Sequence, residues 1–137
     1  MKTIYPDELI EKNWTFSIGA EQVSTNWINT LDSQNVECLI SPLHDSDIGG
    51  TKTILPPHYH VVLFSLTRKQ AQEISNIVKG TTVIPIRNTR KMCRYLCNLD
   101  SPESPQYPTE NVIALGGITY ADCISKDAFS EEWEEEV

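Results

Sequence analysis

The run Pro57-His58-Tyr59-His60-Val61-Val62-Leu63-Phe64 constrains the fold of this chain more than any other stretch. Its apolar second half reads as a strand, and side chains alternate between faces along a strand. His58 and His60 therefore share a face, with Tyr59 opposite. Imidazoles placed side by side at the mouth of a strand form half of a metal site. The chain has only three histidines, and the third, His44, lies upstream in Ser41-Pro42-Leu43-His44-Asp45-Ser46-Asp47, beside two carboxylates. Adjacent strands lie ~4.8 Å apart, so a loop leaving one strand can reach histidines on the next. Three nitrogens and a carboxylate oxygen suit Mn²⁺, Zn²⁺, Ni²⁺ or Co²⁺ better than Mg²⁺, by ligand softness.

Around that strand, strand-like and helix-like segments interleave. Asn13 to Ile18 alternates apolar and polar residues, a half-buried strand closed by Gly19. Residues 21–34 suit an amphipathic helix with Val23, Trp27, Ile28 and Leu31 on one side. Val36 to Ser41 reads as a second strand stopped by Pro42, and residues 44–57 as a loop holding Gly49-Gly50 and Pro56-Pro57. Thr67-Arg68-Lys69-Gln70 is a capping box opening a helix to about Lys79, with Gly80 at its end. A short strand from Val83 to Ile86 comes next, then a helix from Thr89 to Cys97 capped by Asn88. A proline-rich loop, an apolar stretch from Val112 to Leu115 and a helical segment over 119–128 complete the pattern. The order predicts an α+β fold, one antiparallel sheet covered by helices on a face, close to a ferredoxin-like layout with an additional helix. The acidic end, 131–137, reads as a solvated or frayed helix.

At 137 residues a single domain, 1–137, is expected. No apolar run approaches the ~20 residues of a membrane helix, and Met1 to Asp7 opens no signal peptide. A cytoplasmic location without a membrane partner is the resulting expectation. The four cysteines, Cys38, Cys93, Cys97 and Cys123, include no CxxC pair. They read as reduced thiols packed as small apolar residues rather than as a zinc knuckle.

The net charge of −8 argues at first against a nucleic-acid partner, but it is unevenly spread. The tail Glu131-Glu132-Trp133-Glu134-Glu135-Glu136 alone holds five of the acids. From Thr67 to Leu96 seven basic residues stand against one acid, Glu73. Screening confines each charge to about 8–10 Å, so local balance decides what a surface attracts. Arg87, Arg90, Lys91 and Arg94 fall at helical spacing on one face, with Lys91 one turn before Tyr95. A cationic flank stabilises phenolate and attracts phosphate, which places Tyr95 as a nucleophile toward a phosphodiester. Tyr107 and Tyr120 have no such setting, and Tyr59 lies on the strand face opposite the histidines.

The SPLHDSD segment (41–47), the PHYHVVLF strand (57–64) and the RKMCRYLCNLDSPES segment (90–104) together resemble a known family. In this order and spacing they are similar to the single-tyrosine plasmid rolling-circle replication initiators of the HUH endonuclease superfamily. The likeness is to the Firmicutes plasmid Rep family with its SPLHD, HYH and tyrosine-leucine motifs. The strand Trp14-Thr15-Phe16-Ser17 resembles that family's first motif more weakly. By resemblance the metal ligands are His44, Asp47, His58 and His60, Asp47 being the second acid of an H-D-x-D pattern in which that acid coordinates. Tyr95, which precedes a leucine in the third motif, is implied as the nucleophile. The implied fold is a central antiparallel sheet of about five strands flanked by helices, with the HxH on a middle strand and the tyrosine on a helix nearby.

The implied activity is metal-dependent nicking and rejoining of one strand at a plasmid origin, through a 5′-phosphotyrosine, in the bacterial cytoplasm. The expected cofactor is a divalent ion, Mn²⁺ or Mg²⁺, and the expected partner is single-stranded or supercoiled origin DNA. Arg87, Arg90, Lys91 and Arg94 would hold its phosphates, and Asp100 and Glu103 are candidates to assist a second transfer. Family members commonly continue into a C-terminal oligomerisation domain. The chain is thus expected to be the nuclease and origin-binding part of a longer initiator, or a minimal one, with oligomers dependent on that further domain. Three rival readings share some of these residues: a zinc-dependent hydrolase, a non-catalytic DNA-binding module, and a mobilisation relaxase. Relaxases usually carry their tyrosine near the N-terminus, whereas Tyr95 follows the HxH strand.

Overall fold

The computed structural model describes residues 10–49, 52–130 and 132. Strands β1 (Lys12–Gly19), β2 (Cys38–Ile40), β3 (His58–Leu66), β4 (Ile84–Pro85) and β5 (Ile113–Leu115) form one antiparallel sheet in the order β4-β1-β3-β2-β5. Helices α1 (Trp27–Asp32), α2 (Arg68–Ile77), α3 (Thr89–Tyr95) and α4 (Tyr120–Ile124) pack on it. The first six elements of this series, β1-α1-β2-β3-α2-β4, make a ferredoxin-like unit, and β5 extends its β2 edge. The strand that carries the HxH is therefore the middle one of five.

Helices cover both faces of the sheet, not one. Trp14, Phe16 and Ile18 of β1 and Val61 and Leu63 of β3 pack with Trp27 and Leu31 of α1 and Ala71 and Ile74 of α2. On the other face Leu39, Val62 and Phe64 meet Cys93, Leu96, Tyr120 and Cys123 from α3, α4 and their flanks. The physical sign of this second layer is the unbroken run Val61-Val62-Leu63-Phe64, since a strand buried on one face only would alternate. β1 does alternate, because its other side is only partly covered.

Local signals set several boundaries. The capping box opens α2: the Gln70 amide donates to Thr67 Oγ1 at 3.2 Å and the Thr67 amide to Gln70 Oε1 at 2.9 Å. The helix ends at Ile77, and Lys79, not Gly80, takes the left-handed turn at φ +65°. Gly80 is required by space: a Cβ there would lie 2.4 Å from the Phe16 ring. α1 is shorter than residues 21–34, because Ser24, Thr25 and Asn26 form turns before Trp27. The four cysteines are free and buried, and burial pushes the Cys38 thiol up to about 12. Among the described residues no helix is long and apolar enough to cross a membrane.

Candidate metal centre and adjoining tyrosine

Backbone pairing brings the three histidines together. Pro42 has no N–H to continue the β2 ladder, yet His44 rejoins β3 directly opposite His58. The His44 amide donates to the His58 carbonyl at 2.9 Å, and the His58 amide to the His44 carbonyl at 3.1 Å. One step along, Ser41 Oγ accepts from the His60 amide at 2.9 Å. The loop then folds back, with the Leu55 amide on the Asp47 carbonyl at 2.8 Å, which turns the Asp47 side chain toward β3.

One ligand atom from each of His44, Asp47, His58 and His60 can lie within 4.8 Å of all the others. Asp47 Oδ2 is 2.8 Å from His44 Nδ1 and 3.3 Å from His58 Nε2. A carbonyl only accepts, so the contact of 2.7 Å between His44 Nε2 and the Leu96 carbonyl puts a proton on Nε2. The contact of 2.7 Å between His58 Nδ1 and the Pro56 carbonyl puts a proton on Nδ1 in the same way. The remaining ring nitrogens, His44 Nδ1 and His58 Nε2, are the ones that face the carboxylate. Lone pairs that converge in this manner need a proton or a cation between them. His60 Nε2 is buried without a hydrogen-bond partner among the described residues. Backbone carbonyls that fix the imidazole tautomers, together with an orphaned third nitrogen, are what a divalent cation site requires. The residues present fit such an ion.

The electrostatics agree. Burial, then the neighbouring His44 and His58, pushes the His60 imidazole down to about 4, against a weaker upward pull from Asp47. It is therefore neutral and ready to ligate at physiological pH. Burial pushes the Asp47 carboxyl up, but the hydrogen bond from Tyr107 and the proximity of His44 and His58 outweigh it and hold the group below its ordinary value. Asp45, by contrast, is exposed, accepts from Ser46 Oγ at 3.2 Å, and lies outside the group.

Tyr95 ends α3 beside this cluster. Its ring stands edge-on to His60, 5.1 Å between centroids, and lies 6.3 Å from His44. The residue is 44% exposed, open to a partner arriving from solvent. Asn88 caps the start of the helix, accepting from the Lys91 amide at 3.0 Å. The His44–Leu96 contact fastens its end directly to a ring of the candidate metal group. The cationic flank expected to favour phenolate does not do so: burial, and then the Asp47 charge, raise the Tyr95 hydroxyl above its ordinary value.

The four basic residues separate. α3 starts at Thr89, so Arg87 precedes it. Arg90 Nε donates to the Ser125 carbonyl at 2.6 Å, and Arg94 Nε bridges both Asp100 oxygens at 2.9 Å. Lys91 and Arg87 line a groove of about 360 Å³ with Ile84, Pro85, Met92 and Tyr95. Glu103 lines a smaller cleft of about 180 Å³ on the other side of Tyr95, with Asp47 and Asn98. Of the acidic tail, Glu132 is described and is partly buried: its carboxylate accepts from the Thr89 amide at 2.7 Å and from the Thr89 hydroxyl. The rest of that tail lies outside the described residues.

Residues 9–120 match the family of plasmid replication protein origin-binding domains. The chain belongs to this family. It is 27% identical over 118 residues to a replication protein of Staphylococcus aureus, an alignment covering 84% of this chain and 59% of that protein. It is also 27% identical over 117 residues to the replication protein RepB of Lactiplantibacillus plantarum, covering 83% of this chain and 53% of that protein. The origin-binding-domain sequence thus spans little more than half the length of these relatives.

Sequence reasoning passed over several groups that shape the site of this origin-binding-domain chain. The Leu96 and Pro56 carbonyls are backbone atoms, and no side-chain pattern reports them. Tyr107, set aside for want of basic neighbours, donates to Asp47 Oδ1 at 2.7 Å, and its ring stacks on His44 at 4.3 Å. Burial, then the bond to Asp47, pushes its hydroxyl up to about 12. Its position in a proline-rich loop gave no periodicity by which to place it.

Proposed function

We propose that this chain is the origin-binding and nicking domain of a plasmid rolling-circle replication initiator of the HUH endonuclease type. One observation carries the reading: a half-exposed tyrosine ring stands 5.1 Å from an imidazole whose Nε2 is a buried, unpartnered ligand atom. Around that imidazole, His44, Asp47 and His58 supply the remaining donors. A divalent ion, Mn²⁺ or Mg²⁺, held there would supply Lewis-acid neutralisation of the scissile phosphate. Membership of the origin-binding-domain family supports plasmid origin DNA as the partner.

The chain's own residues supply the rest. Tyr95 attacks phosphorus in line: the Oη–P bond forms, the P–O3′ bond breaks, and the phenol's proton is balanced on the departing 3′ oxygen. The product is a 5′-phosphotyrosine and a free 3′-OH, and reversal by a 3′-OH rejoins the strand without a nucleotide cofactor. With its hydroxyl held above the ordinary tyrosine value, Tyr95 enters the site as the neutral phenol. Lys91 and Arg87, on the groove that leads to Tyr95, bind the phosphates of the entering strand. Arg90 and Arg94, engaged with Ser125 and Asp100, mainly hold α3 in place.

The test is nicking of a supercoiled plasmid bearing the cognate origin. Tyr95→Phe should abolish nicking and leave origin binding nearly intact. Nicking retained by that variant would favour a hydrolase in which a metal-activated water attacks. Binding without cleavage by the unaltered protein in Mn²⁺ would favour a non-catalytic module.

A further inference from the structure

Asp47 has two oxygens with different company. Oδ2 faces His44 Nδ1 and His58 Nε2, while Oδ1 meets Tyr107 Oη at 2.7 Å and, more distantly, Asn98 Nδ2 at 3.5 Å. The direction of the Tyr107 bond follows from its other neighbour. The Ser46 amide donates to Tyr107 Oη at 3.1 Å, and an N–H cannot accept, so the single phenolic proton has only Asp47 to point at. The Tyr107 ring also stacks on His44, 4.3 Å between centroids with 23° between planes. Its amide donates to the Cys97 carbonyl at 3.2 Å, two residues past Tyr95. One side chain thus touches a carboxylate and an imidazole of the candidate metal group and is anchored to the end of the tyrosine helix.

From this we infer that Tyr107 is a positioning residue for the metal: its hydroxyl occupies Asp47 Oδ1 and leaves Oδ2 alone to ligate, while its ring fixes the plane of His44. The inference rests on the metal site proposed above. A carboxylate held at one oxygen ligates through the other, and a ligand fixed in orientation loses less freedom on binding. Groups that orient metal ligands in this way typically change affinity about 10–100-fold when removed.

The experiment is titration of the full chain with Mn²⁺ by calorimetry, paired with the visible absorption spectrum of the Co²⁺ form. Tyr107→Phe keeps the ring and removes the hydroxyl. Its Mn²⁺ affinity should fall about 10–100-fold and its Co²⁺ bands should shift as Asp47 changes its mode of ligation. A residue that merely supports the fold would move the melting temperature but neither of these readouts. Unaltered protein that binds Mn²⁺, with Tyr107→Phe binding within twofold and an unchanged Co²⁺ spectrum, overturns this inference and leaves the proposed function standing. Failure of the unaltered protein itself to bind Mn²⁺ overturns both. A variant found unfolded in EDTA makes the hydroxyl a structural element and equally overturns the inference.

Discussion

Replacing His60 with leucine separates what this ring gives to binding from what it costs the fold. Its Nε2 is buried with no partner among the described residues. An unsatisfied buried polar atom costs about 1–3 kcal/mol, and the metal-free protein carries that cost. Leucine is near imidazole in volume and keeps apolar contact with the rings of His44, His58 and Tyr95, now 4.7, 4.9 and 5.1 Å away between centroids. Imperfect repacking offsets up to about 1 kcal/mol, so the expected net gain is about 1 kcal/mol. For a chain of this size that raises the melting temperature by roughly 3–4 °C. With Mn²⁺ at a hundredfold excess over its dissociation constant, the unaltered protein gains about 2.7 kcal/mol. The variant, one ligand short, gains far less. Thermal melts at neutral pH should therefore rank the variant above the unaltered protein in EDTA and below it in Mn²⁺. A variant that is the less stable in EDTA, or is equally stabilised by Mn²⁺, would refute the reasoning.

The same imidazole makes the metal-free protein acid-sensitive. Burial lowers its folded value to about 4 from 6.5, so the unfolded chain takes up the proton first as pH falls. Its contribution is complete above 6.5 and lost as pH drops toward 4; urea midpoints should decline across that window, and less steeply in His60→Leu. Equal slopes would contradict the assignment. Gly80→Ala, whose Cβ would lie 2.4 Å from the Phe16 ring, should cost about 1–3 kcal/mol by overpacking; an unchanged urea midpoint would mean that Phe16 has room to move. Lys91→Ala should reduce the slope of log K against log salt for a single-stranded origin oligonucleotide by about 0.7, one phosphate contact. Arg94→Ala should change that slope less, because its guanidinium already pairs with Asp100. The reverse ranking would move the DNA path off the Lys91 groove.

Much of the fold was legible because its signals are local. Alternation marked β1, the capping box marked α2, and Asn88 marked the start of α3. The second helical layer was also written in the chain, in the uninterrupted Val61–Phe64 run, but that run is equally compatible with other buried settings. Histidine spacing on β3 fixed which rings share a face, and His44 joined them through a backbone bridge that Pro42 would forbid only if the ladder had to be continuous. What stayed hidden depends on long-range placement. The separation of Arg90 and Arg94 from Lys91 comes from partners at Ser125 and Asp100, and the raised Tyr95 hydroxyl comes from burial against β3. Neither is a property of helical spacing. Tyr107 reaches Asp47 across 60 residues of sequence, through a loop whose path only the packed structure determines.

The central claim is that Tyr95 becomes covalently joined to DNA beside the His44–Asp47–His58–His60 group. Incubating the protein with Mn²⁺ and labelled oligonucleotides tiling the cognate origin, then sequencing the adducted peptide by mass spectrometry, tests it most directly. The account predicts a nucleotide linked through its 5′ phosphate to Tyr95, formed with Mn²⁺ and lost in EDTA. A linkage at another residue, or cleavage that leaves a free 5′ phosphate and no adduct, would contradict it.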